Sequence, residues 1–406
     1  MDDRRWNQRD SAEPDRREGA GTSPGPTYGL RSIELAYRPV VELDELREIV
    51  RDVLDKGSSS TKVRALLDDP VGHDPVLWSR LADLGWCGIA VPEQYGGAGG
   101  SFVELGVVLA ELGRHLTPTP LLSTVTLGVG ALLLAGSAEQ RAKWLPRLAS
   151  GEAKATVAFT DSGADATADP GIVAVSRRGA YHLTGKASFV LDAHTADLLI
   201  VAAREESGSV SLFAVDPKQA DIRVTPSVDQ TRRLCEVRLD DVEVPAGDAV
   251  GTIGEASRIL TALLNRFGAA LACDSFGGAE RMTEMTADYA KERVQFGRPI
   301  GAFQAVKHRC AEMVVDTEAA RVAAEYAVAR FETDPAGDSE AVSIAALHCN
   351  DGFVRVASAA LQMHGGIGFT WEHDTHLYLK RARLNVVLAG DTAWHRARLA
   401  KYLLAV

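Results

Sequence analysis

The hydrophobic rhythm of the chain changes twice. From Val41, apolar residues recur at helical spacing (Leu43, Leu46, Ile49, Val50, Val53, Leu54), with acids in the first turn and Gly57 at the end. Further helical patterns cover 75–84, 101–114, 122–135 and 138–150, the last with Ser137 as N-cap and Gly151 just beyond it. The run Pro92-Glu93-Gln94-Tyr95-Gly96-Gly97-Ala98-Gly99-Gly100 holds too much glycine for a helix and predicts a turn. After Glu152 the period becomes two, and seven strands are expected: 155–160, 171–177, 181–187, 196–203, 210–215, 222–226 and 234–244. Short strands joined by Gly, Pro, Asp and Ser turns predict an antiparallel β domain of about 100 residues. Past Gly254 the helical period returns, over 257–293, 304–331, 339–364 and 371–400. The chain therefore reads as an α+β fold with a polar, disordered arm (1–38), a helical domain (39–153), a β domain (154–253) and a C-terminal helical domain (254–406).

Length and composition narrow the class. At roughly 150 residues per domain, 406 residues suggest two or three domains. With 46% apolar and 24% charged residues, collagen-like, coiled-coil and wholly disordered readings are excluded. The net charge, 44 − 55 = −11, argues against a nucleic-acid partner, which needs a basic footprint. Cys87, Cys235, Cys273, Cys310 and Cys349 are scattered, odd in number and form no C-x-x-C pair, so reduced thiols are expected and no structural metal. No uninterrupted apolar run approaches the roughly 18 residues that span a bilayer; the longest, 127–135, stops at Gly136. The N-terminus mixes acids with its arginines and lacks an apolar core, so a cytoplasmic protein with no membrane partner is expected.

Three segments carry candidate chemistry. Thr160-Asp161-Ser162-Gly163 follows a strand, in a loop of small residues whose N–H groups can face a ligand. Arg293-Val294-Gln295-Phe296-Gly297-Arg298 ends one long helix and Phe303-Gln304 opens the next. Arg293 offers a donor fork suited to a pyrophosphate, and Phe296 an aromatic edge. Gln362-Met363-His364-Gly365-Gly366 places two glycines at a helix end, which lets backbone approach a phosphate. Singly these read as a turn, a helical corner and a C-cap; their joint order gives them weight. Glu372-His373-Asp374-Thr375-His376 has imidazoles spaced for a metal, but a polar helix start is the stronger reading, and no metal is expected. The basic run Lys380-Arg381-Ala382-Arg383 suits either a phosphate or a solvated face.

Taken together, the chain from about Val41 onward resembles the acyl-CoA dehydrogenase family. The resemblance rests on Pro92 to Gly97, Trp144-Leu145-Pro146, Leu183-Thr184-Gly185-Lys186, Asp241 to Pro245, the Arg293 to Gln304 block and Gln362 to Phe369. It implies a helical domain, a β domain and a four-helix C-terminal bundle that tetramerises, with FAD between them. Thr160 and Phe189 would lie against the flavin ring. Arg293, Gln295, Phe296 and Gln304, with Gln362, Gly365 and Gly366, would hold the pyrophosphate and adenine side of a neighbouring subunit's FAD. The implied substrate is an acyl-CoA thioester, dehydrogenated between its α and β carbons, with an electron-transfer flavoprotein or similar acceptor.

The chain departs from that pattern at the base. The family's Glu position, counted from Gly366, is Ala389 (366 + 23), within Leu388-Ala389-Gly390-Asp391-Thr392. The alternative position, on the first helix of the C-terminal domain, falls in Asn265-Arg266-Phe267-Gly268, which also holds no acid. Asp391 is the nearest carboxylate and the candidate catalytic residue; the competing reading makes it an N-cap. Three functions follow from the resemblance: a dehydrogenase with a non-standard base, a FAD-sharing subunit of a mixed oligomer whose partner supplies the Glu, or a flavin-dependent oxygenase on the same fold.

Overall fold

Capping side chains set where the first helices begin. The computed structural model describes residues 40–159, 170–337 and 339–404; the arm 1–38 and the loop containing Thr160 lie outside them. Helix α1 (Val40–Gly57) is followed by α2 (Ser60–Ala65) and α3 (Pro75–Asp83). The Asp74 carboxylate accepts the Val76 amide at 2.8 Å, and Pro75 occupies a first-turn position where no N–H is needed. Next come α4 (Phe102–Arg114), a π-type segment (Ser123–Gly128) running into α5 (Val129–Ala135), and α6 (Ala138–Ala149). Reciprocal capping boxes, Ser101 with Glu104 and Ser137 with Gln140, open α4 and α6.

All seven expected strands form: β1 (Ala155–Ala158), β2 (Ile172–Arg177), β3 (Ala180–Leu191), β4 (Leu198–Glu205), β5 (Val210–Val215), β6 (Asp221–Thr225) and β7 (Leu234–Pro245). They make one sheet in the order β1-β4-β2-β3-β7-β6, with β5 on β4. The sheet is mixed, which corrects the antiparallel expectation. Strand β4 runs parallel to β1, with Ala155 opposite Leu198, and parallel to β2, with Val173 opposite Arg204. Its six residues Leu198 to Ala203 are all buried, as a strand covered on both faces requires. Local alternation reports burial and not strand direction, so this pairing was not legible beforehand.

The C-terminal part is built on α7 (Ala256–Glu292), whose central turns are buried on every side. Among the described residues α7 alone is long and apolar enough to cross a membrane, yet 83% of its apolar window is buried by the surrounding fold. A small hairpin, β8 (Val294–Gln295) and β9 (Arg298–Pro299), leads to α8 (Gln304–Ala329). Then follow α9 (Ser339–Ala345), α10 (Asp351–His364), α11 (Gly366–Phe369), α12 (Thr375–Leu388) and α13 (Thr392–Leu404). The helix expected over 371–400 thus breaks between Leu388 and Thr392. Gly390 adopts φ +102°, and a Cβ there would stand 2.5 Å from the Trp394 ring, so only glycine lets the chain turn so close to that indole. The largest apolar core runs from α1 and α4 through β1 and β4 to α7 and α8, and the site lies along one side of it.

Candidate active site

A β-bulge makes one wall of the site. Between Ala187 and Val190 the β3–β7 register slips, and Phe189 takes φ +59°, a left-handed conformation costly for an aromatic residue by about 1–3 kcal/mol. The bulge leaves the Phe189 ring 47% exposed, on the rim of a cavity of about 550 Å³. Helix α12 supplies a second wall from Leu384, Val387 and Leu388, which share one face at i, i+3 and i+4. Leu264 and Phe267 of α7 and Leu127 of the π-type segment close the apolar side, and the Thr225 to Val228 loop and Arg383 border it. No carboxylate is among the described lining residues.

The two positions that carry the family's carboxylate, both without an acid here, are neighbours. Ala389, 3% exposed, directly follows the wall residue Leu388. A Cβ added to Gly268 would stand 4.0 Å from the Ala389 Cβ, so the Asn265 to Gly268 turn of α7 faces the same spot. Within that turn Phe267 faces the cavity, and Asn265 is anchored by its amide to the Gly337 carbonyl at 3.0 Å. Arg266 packs its guanidinium over Phe102 (4.9 Å) and Phe331 (5.6 Å), where burial pushes its pKa down to about 10.

Asp391 has another task. Its carboxylate accepts the Trp394 amide at 2.8 Å and its carbonyl accepts the His395 amide at 3.0 Å, the geometry of an N-cap opening α13. Neither it nor Ala389 is among the residues that line the cavity, so the cap contact is what distinguishes Asp391.

The wall elements α7 and α12 share a buried ionic floor that the sequence did not reveal. Arg381 of α12 donates to Asp229 (2.7 Å) and to Asp274 of α7 (2.9 Å). Asp274 also holds Arg232 (2.9 Å) and Asn385 (2.7 Å). Burial alone would raise the Asp274 pKa, but Arg232 and Arg381 outweigh it and hold the carboxyl below its ordinary value. The floor ties α7, α12 and the β6–β7 loop, three of the elements that supply the walls. Lone charges in a sequence do not announce such pairing; only the fold brings residues 229, 274 and 381 together.

The remaining predicted cofactor residues gather elsewhere. Phe296 and Gly297, at φ +52° and +76°, form a type I′ turn between β8 and β9. Phe296 is 91% exposed, and Arg293, Gln295 and Gln304 are exposed around it. The Arg298 guanidinium lies 4.2 Å over the Phe303 ring, which stiffens the base of the hairpin. Tyr289, at the end of α7, stacks on His364 with ring centroids 4.4 Å apart, and its hydroxyl donates to the His364 carbonyl at 3.3 Å. That contact sets the Arg293 segment beside Gln362, Gly365 and Gly366, all exposed. None of these residues lines the cavity that Phe189 borders. The structure therefore unites the Arg293 and Gln362 segments and keeps both apart from Phe189. Among the described residues no three His, Cys, Asp or Glu side chains cluster to hold a metal.

A helical layer, a mixed sheet and a helical bundle thus surround an apolar cavity, and an aromatic–arginine hairpin projects from the bundle. The chain matches the acyl-CoA dehydrogenase N-terminal domain over residues 41–152 and the C-terminal domain over 257–404. It is 35% identical over 359 residues to the acyl-CoA dehydrogenase IpdE2 of Mycolicibacterium smegmatis, covering 88% of this chain and 97% of that protein. A variant of the Tcur3481–Tcur3483 steroid ACAD superposes with a TM-score of 0.81 at 31% identity, covering 90% of this chain and 98% of the other. A chain of the ChsE4–ChsE5 complex from Mycobacterium tuberculosis gives a TM-score of 0.82 at 28% identity, covering 90% and 97%. The chain belongs to the acyl-CoA dehydrogenase family. It is an oxidoreductase of that family, which implies a flavin cofactor.

Proposed function

We propose that this chain is one subunit of a mixed-oligomer, FAD-dependent acyl-CoA dehydrogenase, in which a partner chain supplies the catalytic carboxylate. The observation that carries this reading is the convergence of Ala389 and the Asn265 to Gly268 turn on one spot that holds no acid. A residue without a titratable group cannot take the α-proton, and general-base catalysis is worth about a hundred- to ten-thousandfold. The Asp391 cap supports the same conclusion by engaging the nearest alternative carboxylate.

The donor set fits the cofactor in two halves. An apolar wall at Phe189 suits a flat ring, and the exposed Arg293, Gln295, Phe296 and Gln304 suit a pyrophosphate and adenine presented by a neighbouring subunit. When bound, the flavin accepts the hydride from the β carbon. This chain's part is to hold the diphosphate through Arg293 and the backbone at Gly365 and Gly366, and to exclude water with the Leu384, Val387 and Leu388 wall. The acyl group we favour is bulky and polycyclic. That choice is supported by the steroid ACAD among the structural neighbours and by the breadth of the apolar lining. Electrons would pass on to an electron-transfer flavoprotein or similar acceptor, and the assembly would be a cytoplasmic tetramer.

Expressing the chain alone and with its genomic neighbour tests the reading. Rapid acyl-CoA oxidation is expected only in the co-purified assembly; equal activity of the chain alone would overturn it.

A further inference from the structure

A second pocket, of about 390 Å³, opens where the N-terminal helices meet the bundle. Arg51 of α1 and the Ser58-Ser59-Ser60 loop supply one side, and Arg114 at the end of α4 another. Arg281 of α7 and Tyr378 of α12 complete it, and it shares no lining residue with the apolar cavity.

The three guanidinium groups are held from outside the pocket. Arg51 donates to Glu111 from Nε at 3.0 Å and from Nη2 at 2.7 Å, and Arg114 Nη1 donates to Glu280 and Glu284 at 3.0 Å each. Arg281 is tethered more loosely, its Nη1 lying 3.5 Å from Glu284. None of these glutamates lines the pocket, whereas all three arginines do. Two carboxylates are among the described lining residues, and both are engaged. Asp374 accepts from Arg64 at 2.9 Å and from Ser60 at 2.8 Å, and Asp55 meets the His115 ring at 2.9 Å. Ser58 is different. It is only 4% exposed, and its hydroxyl has no hydrogen-bond partner. A buried hydroxyl is normally paired, so this one points to a guest that meets it.

The volume falls within the range of small-molecule sites, roughly 300–1,000 Å³. Glutamates behind the arginines orient their forks and cancel their long-range field, so capture rests on directed N–H groups at contact range. Such forks select a phosphate, and the serine hydroxyls around them suit a body that carries hydroxyls of its own.

We propose that this pocket binds a small hydroxylated phosphate ester, with its phosphate at Arg51, Arg114 and Arg281 and a hydroxyl at Ser58. The proposal rests on neither the flavin nor the thioester reading. An occupant would tie α1 and α4 to α7 and α12, so binding should also raise the urea midpoint.

Calorimetric titration of the full chain, alone and in its co-purified assembly, tests this with ribose 5-phosphate, ribose and inorganic phosphate. Ribose 5-phosphate is expected to bind at least tenfold more tightly than either of the others, and less tightly as salt rises. Arg281 and Glu284 are each 41% exposed, so Arg281→Gln should keep the fold while lowering that affinity about tenfold or more; Arg281→Lys should recover part of it. Ser58→Ala should weaken binding about three- to tenfold and leave the ligand-free urea midpoint unchanged or higher, because it removes an unpaired buried hydroxyl. A purely structural Ser58 would give the reverse, a lower midpoint with unchanged affinity. No binding of ribose 5-phosphate, ribose or phosphate bound as tightly as the ester, or wild-type affinity in either Arg281→Gln or Ser58→Ala would overturn the proposal.

Discussion

Replacing Asp391 separates a helix cap from a catalytic base. Its carboxylate accepts the Trp394 amide at 2.8 Å and serves the start of α13, so a substitution that keeps a short acceptor should keep the fold. Asp391→Ser retains an N-cap oxygen and removes the carboxylate; Asp391→Ala removes both. A lost N-cap costs about 1 kcal/mol, within a range of roughly 0.5–2. Asp391→Ala should therefore lower the urea midpoint by that equivalent, and Asp391→Ser should leave it nearly unchanged. Neither should alter kcat of the assembled enzyme on its acyl-CoA. A missing general base would instead cost about a hundredfold or more. Urea unfolding followed by circular dichroism, paired with steady-state oxidation, reads both quantities on the same samples. An Asp391→Ser protein of wild-type stability with turnover reduced a hundredfold would refute the cap assignment and install Asp391 as the base.

Other expectations follow from the same geometry. Arg293→Ala should loosen flavin by roughly ten- to a hundredfold, since a charged donor contact is worth about 1.5–3 kcal/mol; unchanged flavin absorbance after gel filtration would remove Arg293 from the site. Asp274→Asn leaves Arg232 and Arg381 buried against a weakened acceptor and should destabilise by about 3–5 kcal/mol in urea unfolding; a loss below about 1 kcal/mol would contradict the floor's role. Burial pushes the His395 imidazole down to about 4, against about 6.5 when unfolded. The unfolded state then binds the extra proton first, so this stability is complete above pH 6.5 and is lost as pH falls towards 4, by about 3 kcal/mol in all. His395→Gln should flatten that pH dependence of the urea midpoint; an unchanged slope would exclude His395 as its source.

What the sequence disclosed was local. Ser137 announces an N-cap, the run 196–203 announces a strand, and the double glycine at Gly365 and Gly366 announces a tight helix end. The hidden features depend on contacts between distant residues. The parallel pairing of β4 and the Asp229–Arg381–Asp274 floor are properties of packing, absent from any window of the chain. The break at Gly390 had a local sign, a glycine, but its cause is the Trp394 ring against that backbone. The missing base was legible by position at Ala389; the fold adds that the alternative turn at Gly268 faces the same spot.

The most direct test of the central claim is anaerobic flavin bleaching by acyl-CoA, measured for the chain alone, for its Ala389→Glu variant and for the co-purified assembly. Rapid bleaching is expected in the assembly, and a rate lower by about a hundredfold or more in the flavin-loaded chain alone. Ala389→Glu should bring a partial gain, because that side chain would enter the spot shared with Gly268. Rapid bleaching by the unmodified chain alone, with no further gain from a partner, would contradict the claim.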